Sequence, residues 1–428
     1  MKKFLIGAFL TIVVSCYIFP FSFTFLPVGL NTKIMLAVIG LAAFAWDSTQ
    51  QHAVKISRTV LISGLIALVF SVWCFFSVTV NGSHQHEYDN YIVSFITWMA
   101  GAYGVYFLIR ICHDKADLPL ITRYLALVCV SQCILSLLID NIPAVESIVK
   151  AIVNQGYDFY ERDHRLYGIG FALDPAGVRM SAVLVLIAHQ ITQQSRNGNA
   201  GSASWLFFAF VVIVVIGSMV SRTTIVGTAL GLGYILVTNS MIERGGFVST
   251  RQISLFAILF ILIGITIFIS VLLYNSSEVF HSNLRFAFEG FFNWAETGVW
   301  STTSTNILEE MWIWPERGDI RTWWIGAGII GVFKINSDIG YCNFVFYCGI
   351  IGLVIYSLYF VYNHLSLNRK YNNFFLTSLL LCAVTFIVWS KVQTDIFFID
   401  ALLLCMEGDI IDSENVSQEE QTPENITT

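Results

Sequence analysis

The chain has 428 residues, 56% of them hydrophobic and only 12% charged, with a formal net charge of -6 at pH 7. With a mean hydropathy of +0.70, this lies far from soluble globular composition and excludes a water-soluble protein. The expectation is an all-α integral membrane protein, with the lipid bilayer as its solvent and no nucleic-acid partner.

A bilayer core of about 30 Å takes about 20 apolar residues per helix. Apolar runs are predicted at 4–20, 33–46, 60–80, 91–112, 118–139 and 176–192. Six more fall at 205–220, 223–241, 254–274, 343–362, 374–390 and 395–406, about twelve transmembrane helices in all. Lys2 and Lys3 precede the first run as in a signal peptide, but no small-residue cleavage pattern follows, and it reads as a retained helix.

Helices one to five thus occupy 1–139, a first outer loop 140–175, helices six to nine 176–274, a large outer loop 275–342, and helices ten to twelve 343–406. The polar, acidic stretch 407–428 reads as a disordered cytoplasmic tail. Short loops holding Lys55, Arg58, Arg110, Lys115, Arg196, Arg244, Arg251, Arg369 and Lys370 are assigned to the cytoplasmic side, which puts both termini inside.

The two long outer loops break that charge pattern. They contain Lys150, Arg162, Arg165, Arg285, Arg317, Arg321 and Lys334, while Arg179 and Arg222 lie at adjacent outer helix ends. One reading is a solvated basic face, since long translocated loops tolerate positive charge. The sharper reading is that these arginines converge on an anion at the membrane boundary.

In "LDPAGVRMS", Asp174 followed by Pro175 has the pattern of an N-cap and first helical position, with Arg179 one turn inside. In "VSRTT", Ser221 is a candidate cap with Arg222 in the first position. Two helix N-termini then present free N–H groups to one surface, and guanidinium groups add donors matched to phosphate oxygens. Snorkelling to lipid headgroups is the alternative role for Arg222.

Farther on, the apolar spacing over 278–296 predicts one amphipathic surface helix. "NILEE", with Asn306 and Glu309 in capping-box-like spacing, predicts a short helix ended by Pro315. Trp312, Trp314, Trp323 and Trp324 suit a membrane interface or a sugar face. "GAGIIG", Gly326 to Gly331, matches a dinucleotide fingerprint but lacks the strand–helix context, so its glycines are assigned to turns and close backbone approach. "HQHEYD", His84 to Asp89, is too sparse to specify a metal, and no metal or cofactor is expected. The nine scattered cysteines read as packing residues.

The order of short motifs then suggests a family. Arg165, Gly168, Gly170, Phe171, Asp174 and Pro175 form "R-x-x-G-x-G-F-x-x-D-P", followed by "SR" between two helices. The large loop contains "I-G-x-G" (Ile325 to Gly328) and "S-D-I-G-Y" (Ser337 to Tyr341), and "GIIG" (Gly349 to Gly352) follows. Over roughly its last two thirds the chain resembles the bacterial O-antigen polymerase and ligase family.

The resemblance implies a GT-C-like, metal-independent, inverting glycosyltransferase of the inner membrane. It would act on undecaprenyl-diphosphate-linked glycan donor and acceptor at the periplasmic face, and such proteins often work beside a chain-length regulator. Carried over by position, diphosphate binding falls on Arg165, Arg179 and Arg222, with Arg162, Arg285, Arg317 and Arg321 as further candidates. Family ligases carry a histidine beside an asparagine in the large loop; here "TSTNILEE" has Thr305 before Asn306, which favours a repeat-unit polymerase.

Attack by a sugar hydroxyl calls for a general base. Glu309, Glu310 and Asp338 are the first candidates, with His281, His164 and Asp174 behind them, and structural roles compete at each. The rival from another class is a transporter or flippase for a lipid-linked or anionic substrate, whose arginines would line a path through the bundle rather than gather at one face.

Overall fold

The structure is a computed structural model; it describes residues 2–27, 29–154, 165–240, 274 and 278–408. The predicted helix at 254–274, except Tyr274, the candidates Arg162 and His164, and the tail 409–428 lie outside the described residues.

The apolar runs fold as helices: α1 (Lys2–Ile18), α2 (Thr32–Gln50), α3 (Arg58–Val80), α4 (Tyr91–His113), α5 (Leu118–Asn141), α6 (Pro143–Ile152), α7 (Leu173–Arg196), α8 (Ala200–Val220) and α9 (Thr224–Ser240). Beyond 278 come α10 (Glu278–Ala287), α11 (Glu289–Thr297), α12 (Thr303–Glu310), α13 (Ile320–Trp324), α14 (Val332–Ile335), α15 (Gly340–Leu367), α16 (Phe375–Val388) and α17 (Phe397–Cys405). Among the described residues, α2, α3, α4, α5, α7, α8 and α15 are the seven helices long and apolar enough to cross a membrane. The chain is therefore a membrane-embedded, all-α protein, with a single two-stranded ribbon among the described residues, pairing Ser22–Phe23 (β1) with Val153–Asn154 (β2).

Helix starts are set by side chains that replace missing intrahelical acceptors. Asn31, Ser57 and Asp117 accept the N–H of Ile34, Val60 and Leu120 at the starts of α2, α3 and α5. Close packing is set by small residues: Gly40 of α2 lies against the backbone of Ala100 and Gly104 of α4, leaving no space for a side chain.

The bundle has a centre and a lipid-facing rim. In the apolar stretch of α7, 89% of residues are buried, against 28% for α2 and α3. Side chains such as Phe4, Leu61 and Val72 point outward, which is stable only in an apolar solvent.

Three local expectations are corrected. The helix over 278–296 is two helices, because Phe288 leaves helical geometry at φ -115°, ψ 29°. The helix around Asn306 starts earlier: Thr302 caps α12 by accepting the N–H of Thr305, which puts Asn306 inside it. Asp174 is not the N-cap of α7; that position is Ala172, and the carboxylate is drawn elsewhere. The glycines of "GAGIIG" do serve turns and close approach, with Gly326, Gly328 and Gly331 all at positive φ and Gly326 packed on the backbone of Tyr347 and Cys348.

Candidate functional site

The N-terminus of α7, the α8–α9 junction, the ends of α5 and α16, and α10–α11 meet at one end of the bundle, here termed the loop end. The segment before α7 is fixed by its glycines. Gly170, at φ 63°, packs against the carbonyl of Phe19, and the N–H of Gly168 donates to Phe171 O at 2.7 Å. Gln132 of α5 holds the turn from both sides, donating to Ile169 O and accepting from Ile169 N, each at 3.1 Å. Phe171 is buried edge-on against Phe19. Arg165 lies three residues before Gly168 in this segment.

Asp174 explains the unmade cap. It accepts hydrogen bonds from Thr223 Oγ1 at 2.7 Å, Ser221 Oγ at 3.1 Å and Lys391 Nζ at 2.7 Å. A charge-assisted bond to an ammonium outweighs a bond to the helix's own N–H. Lys391 also donates to Thr223 Oγ1, so the network joins α7, the α8–α9 turn and the segment after α16. The expectation that Arg222 occupies the first position of α9 is also corrected: α9 begins at Thr224, and Ser221 and Arg222 form the preceding turn.

Two candidate arginines meet on one ring. The guanidinium of Arg165 lies 4.6 Å and that of Arg222 4.1 Å from the centre of Phe286 in α10. Arg222 Nη1 also approaches Glu289 Oε2 at 2.7 Å, but without hydrogen-bond alignment, and its Nε and Nη1 have no hydrogen-bond acceptor. Burial lowers the Arg222 pKa against the opposing pull of Glu289. For Glu289, burial acts upward but is outweighed by bonds from Thr303 and by Arg222, and its carboxyl lies below the usual range.

Beside this pair is an open groove of about 470 Å³ lined by Arg222, His281, Arg285, Phe286, Glu289 and Asn293, among others. Arg285 lies over Phe292 and is ion-paired to Glu296 at 2.8 Å. His281 packs on Tyr274 with ring centres 4.2 Å apart. Glu289 and His281 are thus the groove's acid and imidazole, whereas Glu309, Glu310 and Asp338 are exposed and do not line it.

The remaining arginines are placed apart. Arg179 lies deeper on α7, over Phe398 at 5.6 Å and Phe19 at 6.0 Å, in the field of Asp395. Lys33 at the start of α2 adds a second cation to the same field. Arg317 lines a separate groove with Trp314, Pro315, Glu316 and Trp323, and Arg321 donates to Val80 O at 2.8 Å, at the end of α3. Sequence reasoning missed Lys391, Lys33, Asp395 and Phe286. A signal existed for Lys391 and Asp395: Lys391 is the only charge between the last two apolar runs, and Asp395 opens the last of them.

Fold and site together define a polytopic helical membrane protein with a half-buried cationic groove at one end of its bundle. No family model, no curated protein and no solved structure matches the chain.

Proposed function

We propose that the chain is a membrane glycosyltransferase that polymerises undecaprenyl-diphosphate-linked oligosaccharide repeat units for a surface polysaccharide. In this reading it has about twelve transmembrane helices in a GT-C-like arrangement, lies in the inner membrane of a bacterium with both termini in the cytoplasm, and works at the periplasmic face. The observation that carries the reading is the pairing of Arg165 and Arg222 on Phe286, with unfilled Arg222 donors at the edge of an open groove.

The chemistry follows from the leaving group. A lipid diphosphate departs with negative charge, and fixed guanidinium groups stabilise that charge as it develops. Arg222 and Arg165 contact the diphosphate, Arg285 lies along the same groove, and the Asp174–Lys391 network holds the Arg222 turn in place. Glu289 occupies Arg222 until the anion arrives and then exchanges with it. The acceptor hydroxyl loses its proton to a base, and His281 takes that role in preference to Glu309, Glu310 or Asp338 because it lines the groove.

The test is polymerisation in proteoliposomes given undecaprenyl-diphosphate-linked repeat units, with products resolved by length. A ladder that disappears with Arg222→Ala or Arg165→Ala supports the reading. Unchanged substrate with the wild-type protein, together with its movement between leaflets, would replace the reading by transport of the lipid-linked glycan.

A further inference from the structure

A second polar cluster lies within the helices, away from the groove. His364 of α15 and Asp400 of α17 are both fully buried, with Nδ1 and Oδ1 2.8 Å apart. The Nε2 of His364 is 3.3 Å from Thr385 Oγ1 of α16. Buried polar atoms without a hydrogen-bond partner lie on the same elements: both amide atoms of Asn363, next to His364 in α15, and Ser378 Oγ in α16. Apart from the close contact to His364, both carboxylate oxygens of Asp400 are without a hydrogen-bond partner.

Apolar surroundings do not tolerate an isolated charge, so the protonation of this pair is restricted. A neutral imidazole beside an ionised carboxylate leaves one uncompensated negative charge. Protonating both groups leaves one uncompensated positive charge. A single proton shared by the two makes the pair neutral, whichever atom carries it. The other groups whose fields couple to Asp400 are Tyr17 of α1, Tyr359 of α15, Cys382 of α16 and Asp395 ahead of α17. The first three are neutral when protonated, and Asp395 is the one further acid.

We propose that His364 and Asp400 form an intramembrane proton-binding site that holds one exchangeable proton, with the Thr385 hydroxyl and the neighbouring Asn363 amide assisting exchange. A proton is the fitting ligand because it needs only the donor–acceptor pair already present. A metal cation would require a shell of oxygens and room for itself. Exchange moves the proton between Nδ1 of His364 and Oδ1 of Asp400, while Nε2 on the far side of the imidazole faces Thr385 Oγ1, with no change in covalent heavy-atom bonds.

The site stands independently of the sugar chemistry, and infrared spectroscopy of the full-length protein in lipid bilayers tests it. With aspartate carbon-13 labelling, the wild type at neutral pH should show a carboxylic-acid band, or a histidinium band paired with a carboxylate. That band should shift on transfer from H2O to D2O, vanish in Asp400→Asn, and in His364→Gln give way to the band of a protonated Asp400 that has lost its imidazole partner. A spectrum that Asp400→Asn leaves unchanged, or a wild-type band that D2O does not shift, overturns the proposal. Should either variant fail to fold, the wild-type D2O measurement decides alone.

Discussion

The two basic regions at the loop end use arginine differently. Around Phe286, Arg165 and Arg222 share a ring, Arg222 is half-buried, and its acidic partner leaves donors unfilled. Around Trp314 and Trp323, stacked at 5.9 Å, Arg317 and Arg321 are exposed, and Arg321 is spent on the backbone of Val80. The same residue type therefore serves a half-buried region suited to binding an anion and a surface region suited to holding the large loop against α3. The lesson is that desolvation and orientation, rather than the number of positive charges, distinguish a site from a basic face.

The comparison breaks most directly at Arg222. Arg222→Ala is expected to lower polymer formation by about 10²- to 10³-fold, the typical cost of one transition-state donor, while Arg317→Ala stays within about threefold; equal losses in a product-ladder assay would erase the distinction. The next effect is on stability. Lys391→Met strands Asp174 among hydroxyls, and a loss of about 2 kcal/mol is expected for a partly buried pair, readable as reduced thermal stability in detergent. If melting is unchanged, the network does not brace the turn.

Glu289→Gln acts in the opposite direction on binding. Removing the carboxylate that competes for Arg222 should tighten binding of a soluble diphosphate probe by about fivefold, the equivalent of roughly 1 kcal/mol for such a pair. Weaker binding in calorimetry would mean that Glu289 helps to hold the anion. The same carboxylate sets a pH dependence. Because its folded pKa is lowered from 4.5, its stabilisation is fully present above the ordinary carboxylate range and is lost as pH falls through the lowered value. The difference in melting temperature between wild type and Glu289→Gln should therefore shrink on acidification below 4.5. The smallest effect is expected at Arg321→Ala, about 0.5 kcal/mol for its exposed bond to Val80 O, with activity nearly intact.

Much of the bundle was legible because a spanning helix must be apolar along its length, whatever it packs against. The site was legible only in part. Arg165 and Arg222 stood out as charges beside apolar runs, but their common ring, Phe286, looks in sequence like any other phenylalanine of an amphipathic helix. The Asp174–Lys391 pair spans 217 residues, and no local pattern announces a bond of that range. The same bond explains the failed cap: Asp174 has local cap chemistry, yet a distant ammonium offers the stronger partner. Glu309, Glu310 and Asp338 were plausible bases by residue type, and only the fold shows that they face solvent.

The burial of α7 bears on how the protein is made. This helix has the modest hydropathy of 1.2 over its apolar stretch and presents His189, Gln190, Thr192 and Gln194 to its neighbours rather than to lipid. Ser181 completes its fit by accepting the N–H of Gly227 in α9 and donating to Thr223 O. During synthesis α7 therefore emerges before the helices that satisfy it. Its residence in the bilayer depends on the later arrival of α8, α9 and α16, so a chain stopped after residue 196 is expected to lose this helix from the membrane, while α3 and α5, with hydropathies of 2.3 and 1.8, stay inserted.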